Sequence, residues 1–136
     1  MKHKFFKSYM ECAKAFAKQS YAVRRKVGAV AVTPQDVMIY SYNGTAIGDD
    51  NTCEDENGNT KMEVLHAESQ VISKAAREGL SLKGSTIFIT TAPCASCSKQ
   101  IYQSGVERVV YDEEYRDMSG VAYLRKHGVI VEKYEE

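Results

Sequence analysis

The chain has 136 residues, of which 43% are hydrophobic, with 18 Lys+Arg against 18 Asp+Glu. That length suits one domain, residues 1–136, with a buried core, and no apolar run approaches the ~20 residues of a membrane span. The balanced charge argues against the broad basic surface of a nucleic-acid reader, so neither membrane nor nucleic acid is an expected partner.

Met1-Lys2-His3-Lys4-Phe5-Phe6 lacks the apolar core and cleavage site of a signal peptide. Four unevenly spaced cysteines fit a reducing compartment better than a disulfide framework. A cytoplasmic protein is expected.

Phe5, Tyr9, Cys12 and Phe16 recur at helical spacing and predict an amphipathic helix to about Ser20, with Cys12 in the core. Val27 to Val32 reads as a buried strand, Thr33-Pro34-Gln35-Asp36 as a turn and Val37 to Tyr42 as its hairpin partner, closed by Asn43-Gly44. Asp49 to Thr60 is polar and acidic, and predicts a solvated loop beside the site formed between His66 and Cys97, with the lone Cys53 in it. A helix follows His66, with Val71, Ile72, Ala75 and Ala76 as its apolar face and Gly79 as its stop. Gly84 to Thr91 is a strand that delivers Pro93, and a helix from Cys94 ends at Gly105. Val106 to Tyr111 is a strand, Tyr115 to Lys126 a helix ended by His127, and Val129-Ile130-Val131 a last strand.

A helix between those last two strands lets them run parallel through a right-handed crossover. The expected fold is α/β, a three-layer α/β/α arrangement with a central mixed sheet of about five strands and helices on both faces.

The chemistry concentrates between His66 and Cys97. Zn²⁺ favours tetrahedral N/S coordination, and a catalytic site takes three protein ligands, leaving the fourth position for water. His66, Cys94 and Cys97 supply three. Cys94 and Cys97 are three apart and share a helix face, and a helix N-terminus, for which Pro93 is suited, favours their ionisation. Glu68 then serves as a general acid and base beside the metal. His66 and Glu68 converge only if His66 sits at the helix entrance. Two other readings stand beside this one. A redox Cys-x-x-Cys pair leaves His66 and Glu68 without a role, and a structural zinc lacks a fourth ligand close by.

His66-Ala67-Glu68 followed by Pro93-Cys94-Ala95-Ser96-Cys97 is the H-x-E…P-C-x-x-C signature of zinc-dependent deaminases. With Arg24-Arg25-Lys26-Val27-Gly28-Ala29, Tyr42-Asn43-Gly44, Ile101 to Val106 and Tyr111 to Tyr115, the chain resembles the deoxycytidylate deaminase family of the cytidine deaminase superfamily, in its small phage and bacterial form. The resemblance implies a cytidine-deaminase-like fold and conversion of dCMP and water to dUMP and ammonia, supplying thymidylate precursors. Water activated at one catalytic Zn²⁺ per chain would add to C4 of cytosine while Glu68 carries protons to N3 and the leaving ammonia. It also implies substrate contacts at Asn43 (the sugar), Arg24 and Tyr115 (the phosphate end), Ala67, Thr91, Ala92 and Pro93. For Arg25, Lys26 and Arg116, ordinary surface charge is an equal reading. A homo-oligomer, hexameric in some members, is implied, together with Mg²⁺ where a regulatory nucleotide binds.

Three positions depart from that pattern: Gln70 where the family has Asn, Ala46 where a proline usually follows Asn-Gly-x in the loop for regulatory nucleotides, and a Cys53 without the extra ligands of a second zinc. A free-cytidine deaminase is the main alternative, but in that branch the last two strands run antiparallel. A nucleic-acid deaminase lacks its basic surface here, and a non-enzymatic zinc module leaves Glu68 unexplained.

Overall fold

The computed structural model describes residues 1–136. Its elements are α1 (Phe6–Ala17), β1 (Gly28–Val32), β2 (Met38–Tyr42), α2 (Ala67–Arg77), β3 (Thr86–Thr91), α3 (Ala95–Gln103), β4 (Arg108–Glu113), α4 (Ser119–Lys126) and β5 (Ile130–Lys133). The five strands form one sheet in the order β2-β1-β3-β4-β5. β1 is antiparallel to both β2 and β3, whereas β3, β4 and β5 run parallel, as the intervening helices require. β1 and β3 are buried at every position, which explains the unbroken apolar run of β1 and the Ile87-Phe88-Ile89 centre of β3.

Helix α1 covers one face, where Phe6, Met10 and Ala13 pack with Val30, Val32, Phe88 and Val110. Helices α2, α3 and α4 cover the other, over Ala29, Ala31, Ile87, Ile89 and Val109. The hairpin turn needs a left-handed residue, and Asp36 takes it at φ 64°, a conformation that Asp tolerates better than most side chains.

The buried stripe of α1 is Phe6, Met10, Ala13 and Ala17, one residue on from the Phe5, Tyr9, Cys12 and Phe16 expected. Phe5 is exposed and Cys12 only half-buried. Close approach decides between the two stripes: a Cβ on Gly28 would lie 2.0 Å from the Ala13 carbonyl oxygen, so small residues must face β1. Phe16 and Tyr9 still find partners by stacking on Tyr40 and Phe88. The last helix starts at Ser119, not Tyr115; just before it the Asp117 carboxylate accepts the Ser119 N–H at 2.9 Å in a local turn.

Candidate active site

Two helix entrances meet at one point. His66 is extended (φ −69°, ψ 155°) immediately before α2, which turns its ring away from the helix while Glu68 enters the first turn. Cys94 is likewise extended and caps α3, its Sγ accepting the Cys97 N–H at 3.4 Å. His66 Nδ1 lies 3.5 Å from both Cys94 Sγ and Cys97 Sγ, and the three donor atoms all fall within 4.8 Å of one another.

A tetrahedral Zn²⁺ with bonds of about 2.0–2.3 Å would hold such atoms roughly 3.5–3.8 Å apart, so nitrogen, two sulfurs and their spacing fit that ion. The protonation pattern suits it too. Hydrogen bonding to Cys97 and His66 holds the Cys94 thiol down at about 4. The neighbouring Cys94 thiolate, burial and Glu68 push Cys97 up, and Cys94 also raises His66. A divalent cation replaces the protons that these groups share. Ser69 Oγ, 3.4 Å from Cys97 Sγ and 3.1 Å from Gln100 Oε1, supports the inner thiol.

Glu68 is 3% exposed. Burial, the largest influence, raises its carboxyl from 4.5 to about 7, so it can both hold and release a proton near neutrality.

A cleft of about 470 Å³ opens over this cluster. Arg24, Asn43, Ala67, Thr91, Ala92 and Tyr115 all line it, together with His66, Glu68 and Cys94. Pro93, expected among the substrate contacts, is the exception. It is buried, and its carbonyl faces the start of α4, where a Cβ on Gly120 would sit 2.4 Å from Pro93 O and 2.7 Å from the Cys94 carbonyl carbon.

Asn43 is committed to its own chain: its Oδ1 accepts the Val27 N–H at 2.9 Å and its Nδ2 donates to Arg25 O at 2.8 Å. Gln70 donates to Gly44 O at 3.2 Å and so ties α2 to the loop after β2. Arg25 and Arg116, read equally well as surface charge, both line the cleft and both lie over the Tyr115 ring, at 5.9 and 5.6 Å.

The acidic loop lies beside the cleft, as expected, but its Cys53 is not solvated. Cys53 is 1% exposed and faces the cleft with Glu54 and Thr60. An isolated Gly inside a helical pattern is the one sequence sign of Gly120; nothing local marks the burial of Cys53 or the contacts of Glu54 and Ser69.

An α/β/α sandwich with a His/Cys/Cys cluster, a buried glutamate beside it and a cleft above defines the class of zinc-dependent hydrolytic deaminases. The family model for the cytidine and deoxycytidylate deaminase zinc-binding region matches residues 4–113. The chain belongs to that family. It is 41% identical to a dCMP deaminase from the cyanophage S-TIM5, solved in complex with dCMP and dUMP, over 98% of this chain and 99% of that one, with a TM-score of 0.94. It is 35% identical to a deoxycytidylate deaminase of Mycobacterium phage D29, over 78% of this chain and 92% of that protein. A deoxycytidylate deaminase of Saccharomyces cerevisiae is 31% identical over 93% of this chain, which spans 43% of that protein's length.

Proposed function

We propose that residues 1–136 form one deaminase domain that hydrolyses dCMP to dUMP and ammonia. The observation that carries this reading is the end-to-end likeness to the S-TIM5 enzyme, on a chain whose own cleft joins the His66, Cys94, Cys97 and Glu68 cluster to Arg24 at its rim. The parallel pairing of β4 and β5 favours it over the free-cytidine branch.

His66, Cys94 and Cys97 would hold one zinc per chain, which supplies an activated water nucleophile when bound. Glu68 moves protons between that water, ring N3 and the departing amine. Ala67, Thr91 and Ala92 shape the wall against the base. Asn43 faces the sugar while fixing the Arg25–Val27 backbone, and Arg24 and Tyr115 meet the 5′-phosphate, a dianion suited to a guanidinium.

A second cleft, lined by Tyr40, Tyr42, Gln70, Lys74 and Arg77, has the aromatic and cationic groups for a regulatory nucleotide. It presents no carboxylate, so any Mg²⁺ would ride on the nucleotide's phosphates. Homo-oligomerisation and a cytoplasmic setting, in keeping with four free cysteines, complete the reading.

The test is ammonia release from dCMP, dCTP, deoxycytidine and cytidine by the zinc-loaded protein. The expected result is the highest kcat/KM for dCMP. Equal rates on deoxycytidine would move the protein to nucleosides, and higher rates on dCTP would move it to triphosphates.

A further inference from the structure

The segment from Tyr21 to Lys26 carries both Arg24 and Arg25, yet forms no helix or strand. Side chains from elsewhere must therefore fix it. Ser20 Oγ accepts the Ala22 N–H at 3.1 Å and donates to Asn43 O at 2.8 Å. Asn43 binds the backbone at Arg25 and Val27. Between those anchors, the N–H groups of Val23 and Arg24 both donate to one oxygen, Glu54 Oε2, at 3.0 and 3.3 Å.

Glu54 reaches them from a tightly tied loop. The Lys61 N–H donates to Cys53 O at 2.8 Å, Asp55 Oδ1 accepts the N–H groups of Asn57 and Asn59 at 2.9 and 3.0 Å, and the Cys53 side chain anchors the base at 1% exposure. A carboxylate near a phosphate site is electrostatically unfavourable, since like charges repel most where water is excluded. Neutralising the arginines does not explain it: the side-chain ion pairs are His3–Glu132, Lys14–Asp112, Arg25–Glu113 and Arg108–Glu132, and none includes Glu54. Its oxygen is used as a backbone acceptor.

We infer that Glu54 is a positioning residue, whose carboxylate oxygen clamps the Val23–Arg24 backbone so that Arg24 is presented to the substrate's 5′-phosphate. This rests on the dCMP reading above. Glu54 acts through Arg24 and touches no reacting atom, so it governs KM for the phosphorylated substrate rather than the chemical step.

The test compares Glu54→Ala with Glu54→Gln, whose amide oxygen can accept the same two N–H groups without the charge. Glu54→Ala should raise KM for dCMP roughly tenfold, the scale of one charge-assisted hydrogen bond, with kcat and the residual deoxycytidine kinetics unchanged. Glu54→Gln should restore KM to the wild-type value or below, because the like charge near the phosphate is gone. Amide hydrogen exchange at Val23 and Arg24 should accelerate in Glu54→Ala and not in Glu54→Gln. A wild-type KM in Glu54→Ala, equal damage in both variants, or unchanged exchange would each overturn the inference. Wild-type protein that treats deoxycytidine and dCMP alike would overturn the substrate reading and the phosphate role with it. Faster exchange in Glu54→Ala would then mark Glu54 as a backbone clamp alone.

Discussion

At the inner end of the cleft, every reactive side chain sits where a regular element begins: His66 before α2, Glu68 in its first turn, Cys94 at the cap of α3 and Cys97 within its first turn. At the outer end, Arg24 and Arg25 ride on irregular chain held by Ser20, Asn43 and Glu54. Helix entrances are set by local sequence and by backbone hydrogen bonds that the core protects, so the inner end is stiff. The rim depends on side chains brought from other parts of the chain, so single substitutions there should alter substrate choice without disturbing the metal cluster.

The largest effect should come from Glu68→Ala. Turnover should fall by ~10²–10⁴-fold or more, the range for a general acid–base group used in several steps, with zinc content and thermal melting intact. Loss of zinc in that variant, read by metal analysis, would make Glu68 a ligand and dissolve the division of labour at the inner end.

Gly120→Ala comes next, and it attacks the inner end from behind. The added methyl carbon would lie 2.4 Å from Pro93 O and 2.6 Å from Ser98 Oγ. Overpacking of this kind costs about 1–3 kcal/mol, occasionally more. The melting temperature should drop and zinc affinity should fall with it, because Cys94 moves.

Glu68→Gln should stabilise the metal-free protein. The folded-state value of Glu68 is raised from 4.5 to about 7, so the buried carboxylate costs nothing below pH 4.5, where both states are protonated, and the full amount above 7. Denaturant melts should show a gain on the order of 3 kcal/mol at pH 8, with most of it gone at pH 5. A gain that grew toward low pH would have the wrong sign.

The smallest effect should be that of Glu113→Ala. Its ion pair with Arg25 spans 3.6 Å between side chains that are 70% and 46% exposed, and such surface pairs contribute roughly 0–1 kcal/mol. Stability should change within that range, and KM for dCMP by less than about twofold.

The inner end was legible in the sequence because its spacing is local: two cysteines three positions apart, a histidine and a glutamate two apart, and a proline before a helix. The parallel pairing of the last strands was legible for the same reason, through the helix between them. The α1 stripe was not, since two sets of residues satisfy the same period and only the close approach of Gly28 to Ala13 chooses between them. Glu54 and Cys53 looked like members of a solvated acidic loop. Glu54 is tied to the rim by contacts across about thirty residues of chain, which no window of sequence contains. Tyr115 falls within a helical sequence pattern but sits in the irregular stretch before α4, where it lines the cleft.

The separation of chemistry from recognition is tested most directly by calorimetric binding of dCMP to zinc-loaded Glu68→Ala, which holds substrate without turning it over, with and without a second substitution, Arg24→Ala. Full zinc occupancy in both is expected, with affinity for dCMP weakened on the order of 30- to 150-fold in the double variant, the equivalent of one desolvated charge-assisted contact. Unchanged affinity on loss of Arg24, or loss of zinc from either variant, would contradict it.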